Sequence, residues 1–384
     1  MILQQKPPLH LTYCLNIHPG ETWAENFAAI REKALRVKER LAPDRPFGLG
    51  LRLSRTAADS LAASKRRADV RKFFDDHGLY VFTINGFPYG QFHGARVKEN
   101  VYAPDWRNTE RRDYTNLLAD ILADFLPDGV NGSISTVPVS FKPWITNESD
   151  VKSAISNLVA CAEHLSETNI CLALEPEPGC FLETTEETIH FLAEHIPDSA
   201  RRRIGVCFDT CHVAVQFENV AQSLQRYLDA GIRVAKVQLS AAVETNPDGL
   251  KNFCDNVYLH QVKGRRDDGS FVYWNDLECG SSTAALKSAS ETCALQRLRV
   301  HFHVPLYTDD AARRSASTKV DRDLRSRSTA SELSPEFFRL LRQGATEHLE
   351  IETYTFDVLP PELRAADVVD HIVREYEWVM GRIT

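Results

Sequence analysis

Asp209 and His212 lie three residues apart where the apolar run IGVCFDTCHVAVQFE (204–218) stops being apolar. An acid and an imidazole at the mouth of a buried strand are costly to desolvate unless they bind something. Two further acids close apolar runs elsewhere: Glu175 in CLALEPEPG and Glu352 in HLEIETYT, with Glu177 and Glu350 beside them. Carboxylates that converge on one point repel each other unless a cation or shared protons neutralise them. Oxygen donors suit Mg²⁺ or Mn²⁺, and added imidazoles shift the preference towards Zn²⁺ or Co²⁺. Taken singly, each acid also fits a helix N-cap or a surface partner. Three acids on the same strand parity are what point to a site.

Histidines form a second group. His301 and His303 share one face of RVHFHVPLY, His18 closes the first apolar run, and His93 lies in a Gly/Pro/aromatic stretch after the third. His10, His164, His190 and His195 read as ordinary structural histidines. Nucleophilic catalysis finds no support, because no G-x-S-x-G elbow occurs. Cys211 beside His212 would point away from it if both lay on a strand.

The elements that must position these groups are eight short apolar runs: HLTYCLNIHPG, FGLGLRLS, LYVFTINGFP, GSISTVPVS, CLALEPEPG, IGVCFDTCHV, VAKVQLS and HLEIETYT. They alternate with helical patterns. In SDVKSAISNLVACAEHL, Val151, Ile155, Leu158, Ala162 and Leu165 fall on one face, and ELSPEFFRLLRQGA offers Ser334 as N-cap with Pro335 at the first helical position. Strands alternating with helices predict an α/β fold, a (β/α)8 barrel, with an open doubly wound sheet or a one-sided antiparallel sheet as alternatives. Within a run, one parity is aliphatic (Leu172 and Leu174; Val237 and Leu239; Leu349 and Ile351) and the other is small or polar (Ala173 and Glu175; Lys236 and Gln238; Glu350 and Glu352). That is the pattern of a barrel whose mouth binds something polar. We expect one barrel over residues 1–384, an insertion at about 242–330 between the seventh and eighth strands, and a lid after the third. The insertion should hold a hairpin turning at Asp268–Gly269, and the Arg/Ser-rich RRSASTKVDRDLRSRST (313–329) reads as an exposed, mobile loop.

The formal charge is −8 and no Lys/Arg stripe with interleaved aromatics occurs, which argues against a nucleic-acid partner. No run of 18 apolar residues is present, so nothing is expected to span a membrane. The first residues lack a charged n-region followed by an apolar h-region, so no signal peptide is expected. Nine cysteines without a CxxC pair suggest buried thiols in a reducing cytoplasm.

FDTCH resembles the Asp-Thr-Cys-His strand end of endonuclease IV, and the wider pattern is similar to the xylose isomerase-like barrels, which include sugar isomerases and epimerases. The resemblance implies a divalent cation (Mn, Mg, Co or Zn) at the barrel mouth. Its ligands would be Glu175, Asp209, Gln238 and Glu352, with Glu175 and Glu352 as the catalytic pair. Gln238 stands where such barrels usually offer histidine, and the full trinuclear set of the endonuclease branch is not visible. Asn16, His18, Asn85, His93, Glu177, His212, His301 and His303 are expected to line the pocket or orient the substrate. The runs HLTYCLNIHPGETW, NGFPYGQFHG, VKENVYAPDW, LALEPEPGC, FDTCHVAVQFE, LRVHFHVPLY and LEIETYT also resemble EboE-type metabolite traffic proteins. That likeness implies a cytoplasmic barrel handling a small polyol-like or aromatic metabolite beside prenyltransferase-like membrane partners. The expectations are therefore a metal-dependent isomerase or epimerase of a small metabolite, a carrier that binds one without chemistry, or, last, an endonuclease.

Overall fold

The computed structural model describes residues 1–87, 98–247, 249–253, 257–277, 295–308, 326–361 and 363–383. A short hairpin pairs β1 (Ile2–Gln5) with β2 (Pro8–Tyr13). The parallel strands β3 (Phe47–Arg52), β4 (Leu79–Asn85), β5 (Gly132–Thr136), β6 (Ile170–Leu174), β7 (Ile204–Asp209) and β8 (Val234–Leu239) follow, each separated from the next by helix. Between β8 and the last barrel strand the chain builds β9 (Val243–Thr245), β10 (Val262–Arg266), β11 (Phe271–Trp274), β12 (Leu295–Val300) and β13 (Arg327–Ser328). It then returns as β14 (His348–Ile351), which pairs in parallel with both β2 and β8. The sheet runs β1-β2-β14-β8-β7-β6-β5-β4-β3. A parallel bridge from Cys14 to Gly50 brings the β2 and β3 edges together and closes the ring. All eight expected runs carry a barrel strand, and the fold is the (β/α)8 barrel.

The two parities divide as expected. Leu172, Leu174, Val237, Leu239, Leu349 and Ile351 join the main hydrophobic core with the helices. The opposite parity fills the barrel. Cys171, Ala173 and Cys207 form a small cluster with Ala235, which the irregular β7–β8 pairing skips, and Lys236 meets Glu350 at 2.5 Å with both side chains fully buried. In the helix Glu148–His164 the buried stripe is Ala154, Leu158, Cys161 and Ala162, while Val151 and Ile155 are only half-buried, so the buried face is rotated from the expected one. Ser334 caps the helix Pro335–Arg342 as read, its side chain accepting from the Phe337 amide.

The insertion forms a second, antiparallel sheet in the order β11-β10-β12-β9-β13. Its β10–β11 hairpin turns at Asp268–Gly269, with Gly269 at φ +84°. The Arg/Ser-rich piece needs a correction at its end. Arg327–Ser328 pairs with β9 and Ser328 is buried, so this part is strand and not exposed loop. Most of that piece, and His93 in the expected lid, lie outside the described residues.

Gly50 sits where the ring closes. A Cβ there would collide with Glu350 Oε1 and approach the Tyr13 carbonyl oxygen to 2.9 Å. Displacing Glu350 would leave the Lys236 charge buried without its partner, a loss on the order of 3–5 kcal/mol. Gly50→Ala is expected to lower unfolding free energy by at least about 3 kcal/mol in denaturant titration. Gly50→Ala unfolding at the parent midpoint would contradict this packing.

Candidate metal centre

Three strands end in the three acids. Glu175 follows β6, its amide bonded to the Thr136 carbonyl at 3.0 Å, and Glu352 follows β14, its amide bonded to the Leu239 carbonyl at 3.0 Å. Asp209 is the last residue of β7 and the N-cap of the short helix Thr210–Val215. The capping reading and the site reading are thus both realised in one side chain. Asp209 Oδ1 accepts from the Cys211 amide at 2.7 Å, the His212 amide at 3.0 Å and the Ser240 hydroxyl at 2.7 Å. Its Oδ2 is buried with no hydrogen-bond partner, and so is Glu175 Oε2. Ligand-capable oxygens of Glu175, Asp209 and Glu352 all lie within 4.8 Å of one another.

Charges this close in a dry site are unstable alone. Burial first, then Glu352 and Asp209, hold the Glu175 carboxyl well above the usual carboxylate range. Burial, then Asp209 and Glu350, do the same to Glu352. Burial also works to raise Asp209, but His212, His303 and its hydrogen bonds outweigh it and leave that carboxyl lowered. Two buried oxygens without donors, facing a third carboxylate, fit a divalent cation, which neutralises the repulsion and supplies the missing partners.

The expected surrounding residues fall into three groups. Asn16 and Asn85 each donate to Glu352 Oε1 at 2.8 Å, so they hold that carboxylate while lining the cavity. Glu177 accepts from the Tyr102 hydroxyl at 2.6 Å, and burial raises its carboxyl. His212, His301 and His303 come together although they arise from the β7 end and the insertion. His212 Nε2 lies 3.0 Å from His301 Nε2, which lies 3.2 Å from His303 Nε2. His18 is set apart from this group: its Nε2 meets the Tyr13 hydroxyl at 3.0 Å, and it does not line the cavity. Gln238 pairs in register with Asp209, but its Oε1 accepts from the Cys207 thiol at 2.9 Å, two residues back along β7. That contact occupies one of the two lone pairs of the amide oxygen.

Cys211 requires a revision of the reasoning about it. Residues 210–215 are helical because Asp209 caps them, so Cys211 and His212 do not alternate as on a strand. Cys211 Sγ lies within 4.8 Å of nitrogens of His301 and His303. Burial pushes its thiol well above the ordinary range, with Asp209, Glu352 and Glu177 adding to the effect.

The residues missed in the sequence are mostly aromatic. Phe87, Val101, Tyr102, Tyr258, Leu259 and Tyr354 line a cavity of about 560 Å³, counted with its open mouth, above the acids and imidazoles. Lys98 also lines it but is paired with Asp276 at 2.8 Å. Gln261 braces the wall. Its Nε2 donates to the Tyr102 hydroxyl at 3.0 Å and the Pro178 carbonyl at 2.6 Å, while its Oε1 faces His301 Nδ1 at 2.6 Å. Only the polar-aromatic composition around VYLHQV and EIETYT hinted at these roles.

Among the described residues no helix is long and apolar enough to cross a membrane. Several solved structures share the fold. D-allulose 3-epimerase from Methylomonas sp., in complex with D-allulose, is 12% identical, with 97% of each chain covered and a TM-score of 0.53. A xylose isomerase-like TIM barrel protein from Mycobacterium smegmatis, in complex with magnesium, is 11% identical over 98% of this chain and 97% of that one, also at 0.53. An L-ribulose 3-epimerase is 11% identical over 98% and 94%, at 0.52. At such identities the likeness is one of fold. No curated protein sequence matches the chain. The family model described as xylose isomerase-like TIM barrel matches residues 49–266, more than half of the chain. With the closed ring of strands and the acids at its mouth, the chain belongs to the xylose isomerase-like TIM barrel family.

Proposed function

We propose that the protein is a divalent-metal-dependent isomerase or epimerase acting on a small metabolite that carries a hydroxyl beside a carbonyl. The observation that carries this reading is the meeting of Glu175, Asp209 and Glu352, with two buried carboxylate oxygens lacking any hydrogen-bond donor. A cation held there would polarise the substrate carbonyl and stabilise the negative charge left when the neighbouring carbon loses its proton. Glu352, fixed by Asn16 and Asn85, serves as a positioned ligand. Glu175 keeps one oxygen free of hydrogen bonds and a carboxyl that burial and the neighbouring acids push upward, which suits a group that exchanges a proton with the substrate carbon. The aromatic roof excludes water from the exchanging carbon. Fold neighbours that are sugar 3-epimerases support the same class by analogy only.

A second reading, a carrier that holds its metabolite without chemistry, is favoured by Gln238. Its amide oxygen is engaged by Cys207, which leaves three carboxylates and no imidazole from β8. Placement in an EboE-like traffic pathway, in the cytoplasm beside prenyltransferase-like partners, belongs with this proposal and rests on the sequence resemblance alone. An endonuclease reading is the weakest, given the net negative charge of the chain.

Protein purified without chelator is expected to contain a divalent metal by elemental analysis and to exchange substrate carbon-bound hydrogen with D₂O across a panel of neutral ketoses. Glu175→Gln and Glu352→Gln should each abolish exchange while circular dichroism stays unchanged. In chelated protein, Glu175→Gln should melt about 2–4 °C above the parent at pH 8, because the folded state no longer holds a carboxyl whose ionisation it disfavours relative to the unfolded chain. Metal-loaded protein that exchanges no ketose hydrogen would favour the carrier, and full exchange by either variant would sink the enzyme assignment.

The raised Glu175 and Glu352 carboxyls carry protons that a cation must displace, so binding releases protons. Release should be larger at pH 6 than at pH 8, because more of the two carboxyls is protonated at the lower pH. Calorimetric titration in two buffers of different ionisation enthalpy measures it. Equal, near-zero release at both values would mean the carboxylates are already ionised without the cation.

A further inference from the structure

We infer that the end of the barrel opposite the three acids carries a ligand site of its own, an arginine-lined groove that takes the soluble phosphate ester of a small organic molecule. It goes beyond the reaction proposed above and stands without it. The acids sit where β6, β7 and β14 end, whereas this groove lies where strands begin. Arg203 directly precedes β7, and Arg233 directly precedes β8. Both backbones are tied into the rim. The Arg203 carbonyl accepts from the Leu172 amide at 2.8 Å, and the Arg233 carbonyl accepts from the Val206 amide at 2.9 Å. Arg202 joins them, with Ser166 and Ser199, around a concavity of about 1280 Å³ counted with its open mouth.

The positive charge of this groove is left over. Among the described residues none of the three guanidiniums forms a salt bridge, although nearby Arg201 and Arg226 pair with Asp198 and Glu186. Glu163 is the one carboxylate among the described residues that lines the groove. Three cations against one anion leave an excess that matches the charge of about −2 on a phosphate monoester near neutral pH. A guanidinium presents paired N–H donors that fit phosphate oxygens. Arg203 Nη2 donates to the Ser166 carbonyl at 3.0 Å, so that fork is already held in place. Val159, Ala162 and Ala200 give the same wall an apolar patch, which suits an ester over the bare inorganic ion. Arg233 also lines an adjoining cavity beneath the barrel, together with Cys171 and His348. His348 Nε2 is buried with no hydrogen-bond partner, although the Asn131 backbone stands near the ring. An ester that carries a hydroxyl gives that nitrogen its missing partner. Burial pushes the Cys171 thiol up to about 11 against the pull of Arg233 and Arg203, so the sulfur stays protonated and serves as wall, not as nucleophile.

The test is calorimetric titration of the chelator-treated full chain with glycerol 3-phosphate, phenyl phosphate and inorganic phosphate. At least one ester should bind saturably at one equivalent, more tightly than inorganic phosphate. Arg202→Ala and Arg233→Ala should each weaken that binding at least about tenfold, the loss expected for one charge-assisted contact, with far-ultraviolet circular dichroism unchanged. Glu175→Gln should bind the ester as the parent does, which separates this groove from the carboxylate site. Vesicles carrying phosphatidic acid should not sediment the chain; sedimentation without ester binding would make the ligand a lipid headgroup and overturn the soluble ester. The groove is likewise overturned if neither ester binds saturably, if inorganic phosphate binds as tightly, if either arginine variant binds undiminished, or if Glu175→Gln loses the binding.

Discussion

Three carboxylates buried around one point are the constraint on which the rest of this molecule depends. Each must give up water, and each repels the other two, so the arrangement is unfavourable until something of opposite charge joins it. The barrel does little to relieve this from within. The buried Lys236 is already committed to Glu350 at 2.5 Å, which makes a neutral pair inside the ring. Glu175 Oε2 and Asp209 Oδ2 are buried without donors, an arrangement that fits a divalent cation.

The architecture serves that constraint at several levels. Parallel strands pairing around a closed ring bring the ends of β6, β7 and β14 to one rim, which no single helix or hairpin could do. Small residues at Cys171, Ala173, Cys207 and Ala235 fill the interior below. The loops then aim the side chains. Asn16, which follows the neighbouring β2, and Asn85, at the end of β4, fix Glu352, and Asp209 is oriented by the helix it caps. The insertion completes the wall with Tyr258, Leu259, His301 and His303, so the part of the chain that departs most from a plain barrel lines the same cavity as the acids.

Much of this was legible in the sequence, for identifiable reasons. Aliphatic residues on one parity and small or polar residues on the other marked the barrel strands, because helices cover one face and the other turns inward. Glu175, Asp209 and Glu352 were legible because charged residues at the ends of apolar runs need a reason to be there. The insertion was only partly readable. Its hairpin announced itself at Asp268–Gly269, but the pairing of Val243–Thr245 with Leu298–Val300 and Arg327–Ser328 joins segments too far apart in sequence for local pattern to reveal. Gln238 was named as a ligand through the family resemblance, and its contact with the Cys207 thiol on the neighbouring strand could not be read from local pattern. Cys211 was assigned to a strand because the cap that ends β7 is Asp209 itself, a residue already singled out for another role.

Anomalous diffraction from crystals of the chain grown with Mn²⁺ tests the carboxylate centre most directly. A single strong anomalous peak is expected about 2.1–2.3 Å from oxygens of Glu175, Asp209 and Glu352. Crystals diffracting well with no peak among those three side chains, or with manganese bound only elsewhere, would contradict the claim that they form a metal centre.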